Sequence, residues 1–365
     1  MNKLKCGVIT FHRAHNYGAI LQTYALQKTL EKYSIDCEVI DYRSRFIENY
    51  YKPISFSNIP SLKKIAAILL FNGKTVDNNK VFNDFTRNYL KTSEELYYDH
   101  KDLEVANDKY DFFVAGSDQI WNYITAGFID SNYFLNFVND SSKKNAYAPS
   151  FGVDNLPENK KNAYINLLKD FNNLSVRESK GSEIVNDLLN YKPTVVLDPT
   201  ILLDKKSWSK IASKSNEKEE YLLLYLIAES NEIIELAKKI AKEKKIKIIY
   251  LNNRLFKLKG VDNRKKTEVN EWLSLFLNAN CIVTNSFHGL AFSVNFEKEF
   301  FIQYLPKPAK VNSRLVNLLS LLQLNDRVVK NNTDLQKIDY EKVNTLLEKE
   351  RRKSLLFIEK MISSY

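Results

Sequence analysis

The order of apolar and polar positions near the start of the chain predicts a strand, a helix and a second strand. Residues 6–11 are apolar and β-branched, which is typical of a buried strand. Residues 19–32 carry apolar side chains at helical spacing, and residues 37–42 form another apolar run. A polar loop at 12–18 separates the first strand from the helix. The pattern therefore indicates a βαβ unit with two parallel strands.

The same alternation continues along the chain on both sides of a polar, lysine-rich stretch at 201–217. Further strands are predicted at 111–115, 145–149, 172–176, 194–197, 221–228, 247–251, 281–284 and 300–305. Further helices are predicted at 231–244, 268–278, 311–322 and 340–362. The fold class is therefore α/β, with two doubly wound Rossmann-like domains that face each other across a cleft. This arrangement is typical of two-domain transferases.

Three regions follow from this pattern. They are an N-terminal α/β domain at 1–205, a C-terminal α/β domain at 206–335 and a C-terminal helix at 336–365. Residues near 52–95 interrupt the alternation, because 61–71 and 81–89 have the pattern of inserted surface helices. One interpretation is a helical cap. The other is a helix that docks on a membrane, since two lysines precede the apolar run at 65–71.

Charge and cysteine content narrow the class of protein. Lys and Arg number 54 against 44 Asp and Glu, for a net charge of +10. No basic stripe with interleaved aromatic residues is present, so nucleic acid is not expected as a partner, whereas anionic substrates or an anionic membrane surface fit. The three cysteines lie in apolar runs and predict reduced thiols. The first residues lead directly into a strand without the apolar stretch of a signal peptide. We therefore expect a cytoplasmic location, with or without contact to a membrane surface.

Glycine is scarce, and its placement indicates where a ligand would bind. The chain has nine glycines. Those at or just beyond the carboxyl end of a predicted strand are Gly18, Gly116, Gly152, Gly181 and Gly289. In open parallel sheets these strand ends form the ligand crevice, where glycine lets backbone N–H groups approach closely. The alternative is that these tight loops need glycine for steric reasons alone.

His288 and Arg177 are the leading candidates for chemistry. His288 lies between an apolar strand and a helix start, where its protonated form needs an anionic partner. A bound phosphate would supply that partner and make the imidazole a general acid, while the alternative is a polar helix cap. Arg177 ends a strand before a helix start, which is a favourable anion site, and the alternative is a salt bridge to Glu178 or Asp198. Asp198, which precedes a proline, is interpreted as a structural cap.

Two loops are candidates for contacts to substrate hydroxyls. Ser117 and Asp118 follow Gly116 at a strand end, where they could also cap a helix. Asn16, Tyr17 and Gly18 form the first turn between strand and helix, and this turn is not the glycine-rich loop of dinucleotide sites. No metal motif is found, so neither a dinucleotide nor a metal is expected.

An ordered set of short motifs resembles the polysaccharide pyruvyl transferase family, from about residue 6 to residue 323. The motifs are HNYGA at 15–19, AGSDQIWN at 115–122, YAPSFG at 147–152, VRE at 176–178, DPT at 198–200, TNSFHG at 284–289 and KVNSR at 310–314. The resemblance implies a GT-B-like fold. It also implies transfer from phosphoenolpyruvate to a pair of sugar hydroxyls, which forms a pyruvate ketal. The product would belong to a capsule or exopolysaccharide, or to its lipid-linked precursor.

The same resemblance assigns roles to residues. His288 corresponds to the catalytic acid, and Arg177 to a residue that holds phosphoenolpyruvate, whose phosphate is expected between the two. Many members carry an arginine two residues before the histidine, where this chain has Ser286. The residues expected to bind the donor are Arg177, Ser286, Gly289, Lys310 and Arg314, the last two as substitutes for the missing arginine. The residues expected to bind the acceptor are Asn16, Tyr17, Gly18, Ser117 and Asp118. Phosphoenolpyruvate is a substrate, and no separate cofactor is expected.

Two other functions are compatible with the residues. A GT-B-type glycosyltransferase would bind a nucleotide sugar, with an acidic residue on the ribose, for which Glu297 and Glu299 are the candidates. A non-catalytic glycan- or anion-binding module is the other alternative, because the expected arginine is absent at Ser286.

Overall fold

In the computed structural model the chain forms two parallel β-sheets. The structure describes residues 3–51, 76–252, 257–264, 267–305, 312–329 and 337–365, and of residues 76–79 the backbone alone. The strands of the first sheet are β1 (Lys5–Ile9), β2 (Asp36–Tyr42), β3 (Thr92–Tyr97), β4 (Phe112–Ala115), β5 (Lys144–Ala146), β6 (Asn173–Val176) and β7 (Thr194–Val195). The strands of the second are β8 (Tyr221–Tyr225), β9 (Lys247–Leu251), β10 (Asp262–Arg264), β11 (Cys281–Thr284) and β12 (Glu299–Ile302).

The helices follow the strands in the alternation that the sequence predicts. The helices within the first 202 residues are α1 (Tyr17–Glu31), α2 (Arg45–Tyr51), α3 (Val76–Tyr89), α4 (His100–Glu104), α5 (Glu158–Leu168), α6 (Ser179–Leu189) and α7 (Pro199–Leu202). The later helices are α8 (Lys205–Ser209), α9 (Asn231–Lys244), α10 (Val269–Asn278), α11 (Phe287–Asn295), α12 (Ser313–Leu321) and α13 (Tyr340–Ile362). Short 3₁₀ helices lie at Val105–Asp108, Ser131–Phe134, Ser141–Lys143 and Asn325–Arg327.

Both sheets are doubly wound. The strand order is β3-β2-β1-β4-β5-β6-β7 in the first sheet and β10-β9-β8-β11-β12 in the second. The chain direction across the sheet reverses between β1 and β4, and again between β8 and β11. At such a reversal the loops on the two sides diverge and leave a crevice at the carboxyl ends of the strands. The predicted fold class is confirmed.

Two edge strands were missed by the sequence pattern, and one of them corrects the predicted insertion. β3 lies at the end of the range near 52–95 that was predicted to be helical. Only Ser93 and Tyr97 of β3 are buried, so its apolar signal is weak. β10 has the sequence Asp-Asn-Arg and no apolar residue at all. The predicted helix at 81–89 is present within α3, and the predicted helix at 61–71 lies outside the described residues.

The C-terminal helix returns to the first sheet. The backbone N–H of Leu197, just after β7, donates to Ser354 Oγ of α13 at 2.9 Å. Arg351 Nε donates to the carbonyl of Ile201 in α7 at 2.7 Å, and the ring of Tyr365 stacks on Phe112 at 4.6 Å. α13 therefore supports the segment between β7 and α7.

The two sheets also meet through α1. The hydroxyl of Tyr17 donates to the carbonyl of Thr267 at 2.6 Å and accepts from its N–H at 2.9 Å. Its ring stacks on Trp272 of α10 at 5.3 Å. One buried apolar cluster runs from α1 through α10 and α11 to α13. Among the described helices, none is long and apolar enough to cross a bilayer.

Candidate active site

Polar side chains from both sheets meet at the carboxyl ends of the strands. Asp118 follows β4, Arg177 follows β6, and Asp198 follows β7. His288 comes from the loop after β11 of the second sheet, at the start of α11. All four residues are buried. The structure therefore places the two leading candidates, Arg177 and His288, at one site.

Arg177 is the centre of an ion-pair network. Its Nη1 donates to Asp198 Oδ2 at 2.7 Å, and its Nη2 donates to Asp118 Oδ1 at 3.2 Å. Its Nε lies 3.9 Å from Glu178 Oε2. Burial works against the charge, but the carboxylates of Asp118, Asp198 and Glu178 raise the pKa of Arg177 above its usual value. The salt bridge that the sequence left as an alternative for Arg177 is thus present.

His288 approaches the same carboxylate oxygen. Its Nε2 lies 3.8 Å from Asp198 Oδ2. Asp198 Oδ2 thus lies near both Arg177 and His288, so a phosphate expected between them would bind beside this carboxylate, and its position stays a prediction. Burial would raise the pKa of Asp198, yet the His288 imidazole and the Arg177 guanidinium hold it well below its usual range.

Gly18 packs against the Nδ1 side of the His288 imidazole. A Cβ at position 18 would lie 1.9 Å from His288 Nδ1, far inside van der Waals contact. Only a residue without a side chain lets α1 of the first sheet approach the imidazole so closely. Gly18 is therefore at the site, and the structure places it against His288.

Arg314 is the second cation of the site. It lies at the start of α12, and its guanidinium carbon is 5.7 Å from the Phe287 ring centroid, where that of Arg177 is at 4.8 Å. The amide of Gln119 lies 3.2 Å from both Nη atoms of Arg314, with its oxygen as the suited acceptor. Burial, and after it the nearby Arg177, lowers the pKa of Arg314 to about 10. Lys310, the other predicted substitute, lies outside the described residues.

Glu178 is a buried carboxyl group of the site that the sequence analysis considered only as a salt-bridge partner of Arg177. Its Oε1 accepts from Ser150 Oγ at 2.7 Å, and burial raises its pKa in spite of the neighbouring Arg177. Its position beside Arg177 in the VRE motif was the available signal.

The remaining donor-side predictions describe residues that shape the loop. Ser286 caps α11, since its Oγ accepts from the N–H of Gly289 at 3.3 Å. Gly289 packs on Thr284, where a Cβ would lie 2.4 Å from Oγ1. Both residues therefore hold His288 in place, and a direct contact with a donor stays a prediction.

Several acceptor-side predictions fall on residues engaged in the fold. Asn16 caps α1 by accepting from the N–H of Gly18 at 2.8 Å, and the Tyr17 hydroxyl is committed to Thr267. Ser117 is fully buried, and its Oγ donates to the carbonyl of Ala148 at 2.8 Å. Asp118 pairs with Arg177 as described. The structure thus gives the hydroxyls of Ser117 and Tyr17 structural hydrogen bonds, and a contact of these residues with an acceptor stays a prediction.

A small cavity lies between the first loop of the first sheet and the strand ends of the second sheet. It measures about 150 Å³. Its walls are His15, Asn16 and Tyr17 of the first loop and Tyr225, Leu226, Leu251 and Asn252 at the ends of β8 and β9. Two members of the predicted acceptor set, Asn16 and Tyr17, are thus on its wall.

The site leaves several donors available for an anion. Among the described residues, Nε of Arg177, Nε of Arg314, Nε2 of His288 and Oγ of Ser313 are buried without a hydrogen-bond partner. The helices α6, α11 and α12 all begin here, and their N-termini carry partial positive charge. The arrangement can therefore bind an anionic group and deliver a proton to it.

Comparisons with known proteins identify a family and a fold for the chain. A family model described as polysaccharide pyruvyl transferase matches residues 16–302. UDP-GlcNAc 2-epimerase from Neisseria meningitidis, solved with UDP-GlcNAc, is 10% identical, with 100% of both chains covered and a TM-score of 0.50. The Methanocaldococcus jannaschii UDP-GlcNAc 2-epimerase, solved with UDP-GlcNAc and UDP, is 16% identical, with 100% of both chains covered and a TM-score of 0.49. The structural likeness shows a GT-B-like fold and no more. No curated protein sequence matches the chain.

Proposed function

The chain belongs to the polysaccharide pyruvyl transferase family, and from that premise we propose that it forms a pyruvate ketal on a sugar with phosphoenolpyruvate as donor. The acceptor is a cell-surface polysaccharide or its lipid-linked precursor. A lipid-linked acceptor would bring the enzyme to the cytoplasmic face of a membrane.

The observation that carries this proposal is that His288 and Arg177 face one carboxylate oxygen, with Arg314 on the same aromatic ring as Arg177. His288 Nε2 and Arg177 Nη1 face one oxygen of Asp198, at 3.8 and 2.7 Å. Arg314 lies at the same Phe287 ring as Arg177. A proton donor beside two cations is what the reaction of an anionic enol phosphate requires.

The chemistry uses these groups in order. His288 gives a proton to the methylene carbon of phosphoenolpyruvate, which becomes a methyl group, and positive charge develops at the neighbouring carbon. One sugar hydroxyl attacks that carbon, and the bond to the phosphate oxygen breaks. The second hydroxyl then closes the ring, and the protons lost by the hydroxyls restore the imidazolium and leave with the phosphate. Arg177 and Arg314 stabilise the charge on the departing phosphate.

Arg314 is our candidate to replace the arginine that many family members carry at the position of Ser286. Its buried guanidinium has a free Nε among the described residues, and the hydroxyl of Ser313 beside it is also unpartnered. Both groups lie at the N-terminus of α12, which favours an anion. We place the donor phosphate between Arg177 and the N-terminus of α12, away from Asp198.

The acceptor enters through the cleft. The cavity of about 150 Å³ opens between the first loop and the ends of β8 and β9. It shares that loop with Gly18, which touches His288. A sugar in this cavity would contact the same loop that packs against the acid.

Ligand binding and product release test the proposal. Phosphoenolpyruvate should raise the thermal unfolding midpoint, and UDP should not. With a suitable glycan acceptor, phosphate should be released and a ketal methyl signal should appear in the proton NMR spectrum of the product. Stabilisation by UDP alone, with no phosphate release, would favour the nucleotide-sugar glycosyltransferase instead.

A further inference from the structure

The two oxygens of Asp198 have different partners. Oδ1 accepts from the N–H of Thr200 at 2.9 Å and from its Oγ1 at 2.6 Å, which is the cap of α7. Oδ2 accepts from Arg177 Nη1 at 2.7 Å and faces His288 Nε2 at 3.8 Å. The cap that the sequence predicts accounts for one oxygen only, and the other faces the proton donor.

The segment that carries Asp198 is held by two other helices. Asn295 of α11 donates through Nδ2 to the carbonyl of Thr200 at 3.0 Å. Arg351 of α13 donates to the carbonyl of Ile201 at 2.7 Å. Asp198 itself is 1% exposed. A buried carboxylate in a segment held by these hydrogen bonds keeps its charge at a fixed distance from the His288 imidazole.

Most of the other features around His288 oppose a positive charge on it. Arg177 and Arg314 are cations, and the N-termini of α1 and α11 add partial positive charge. Asp118 and Glu178 are the other carboxyls of the site, and both lie next to Arg177. Among the described residues, Asp198 is the carboxylate within 4 Å of His288 Nε2. It is therefore the counter-ion available to an imidazolium.

We propose that Asp198 is a positioning residue, which holds the protonated His288 and the donor-binding Arg177 on a single carboxylate oxygen. His288 and Arg177 then keep their positions relative to each other while phosphoenolpyruvate binds. This role rests on the proposed function, and it adds to that function a residue that was expected only to cap a helix.

Two matched substitutions separate the roles of the two oxygens. Asp198→Asn removes the charge but keeps a side-chain oxygen for the cap. Thr200→Val removes the Oγ1 bond to Oδ1 and leaves Oδ2 unchanged. The readout is ¹⁵N NMR of histidine-labelled protein, which has four histidines to assign, with His288→Gln to identify the signal.

We expect the imidazole ¹⁵N signals of His288 to shift in Asp198→Asn, which changes the group facing Nε2, and to stay in place in Thr200→Val. The kcat of Asp198→Asn should fall at least roughly tenfold, a part of what a general acid contributes. If both variants leave the His288 signals unchanged, Asp198 is a cap and nothing more.

The NMR experiment tests the contact between His288 and Asp198 independently of the proposed reaction. Shifted His288 signals in a protein that never turns over phosphoenolpyruvate would reject the function and keep the His288–Asp198 pairing. If Asp198→Asn does not fold, Asp198→Glu serves, because it keeps the charge but displaces the oxygen. In that variant kcat should fall while the unfolding midpoint stays close to that of the wild type, and an unchanged kcat would overturn the proposal.

Discussion

Arg177 and Arg314 bring two buried guanidinium groups to one aromatic ring, with their central carbons 4.8 and 5.7 Å from the centroid of Phe287. The two cations differ in their partners. Arg177 is neutralised by Asp118 and Asp198, whereas Arg314 lies against the neutral amide of Gln119. This difference predicts opposite consequences for their removal.

Arg314→Gln should not destabilise the protein and should weaken donor binding. Burial and the repulsion from Arg177 disfavour the charge on Arg314, so its loss should raise the free energy of unfolding by up to roughly 1–3 kcal/mol. The KM for phosphoenolpyruvate should rise. Urea unfolding and steady-state kinetics on the same preparation measure both effects.

Arg177→Gln is the matched variant. It leaves the buried carboxylates of Asp118 and Asp198 without their cation, so the free energy of unfolding should fall by roughly 3–5 kcal/mol. Equal losses of stability in the two variants would show that Arg314 is a structural cation like Arg177.

His288→Gln should lower kcat by roughly 10²–10⁴, the usual contribution of a general acid. Glutamine keeps much of the side-chain volume against Gly18, so the thermal midpoint should change little. His100→Gln is the control, because His100 is partly exposed and bonds to Asn132 outside the site. Near-wild-type turnover in His288→Gln would remove His288 from the role of acid.

Gly18→Ala should disable the site by displacing the imidazole. The new Cβ would lie 1.9 Å from His288 Nδ1, so the ring or α1 must move. We expect kcat to fall at least roughly tenfold, since a misplacement of about 1 Å can cost 10² in rate. The matched control is Gly181→Ala, whose Cβ would meet its neighbours at 3.4 Å or more. Similar kinetics for the two variants would contradict the close packing at Gly18.

The carboxyls of Asp198 and Glu178 should respond to pH in opposite directions. The pKa of Asp198 is held below 3.8, so its contribution to stability is complete above that pH and is lost as the pH falls towards its folded-state pKa. Burial raises the pKa of Glu178 above 4.5, so stability falls as the pH rises from 4.5 through that raised pKa.

The variants make this measurable. The free energy of unfolding of Glu178→Gln minus that of the wild type should be more positive at pH 7 than at pH 4. Asp198→Asn should lose less free energy of unfolding than the wild type when the pH falls below 3.8. Urea unfolding across this range gives the curves. Curves parallel to that of the wild type would mean that neither carboxyl changes its pKa on folding.

The regular elements with strong periodicity could be predicted from the sequence. The helices at 231–244 and 340–362 and the strands at 247–251 and 281–284 have the predicted bounds. The two helices have apolar residues at helical spacing because one face of each is buried, and the two strands are continuous apolar runs because both of their faces are buried. The edge strand β3 has no such pattern, since solvent covers most of it.

The site residues could be predicted because they lie just after strands, but the residues that they contact were seen only in the tertiary structure. The sequence alone determined that Arg177 and His288 would each lie at the junction between a strand and the next helix, because hydrophobic periodicity is a local property. Only the packing of the two sheets decided that Gly18 would touch His288 and that Asp198 would lie between the acid and the arginine. Those contacts join residues far apart in the chain, and their geometry depends on how whole sheets and helices pack against one another.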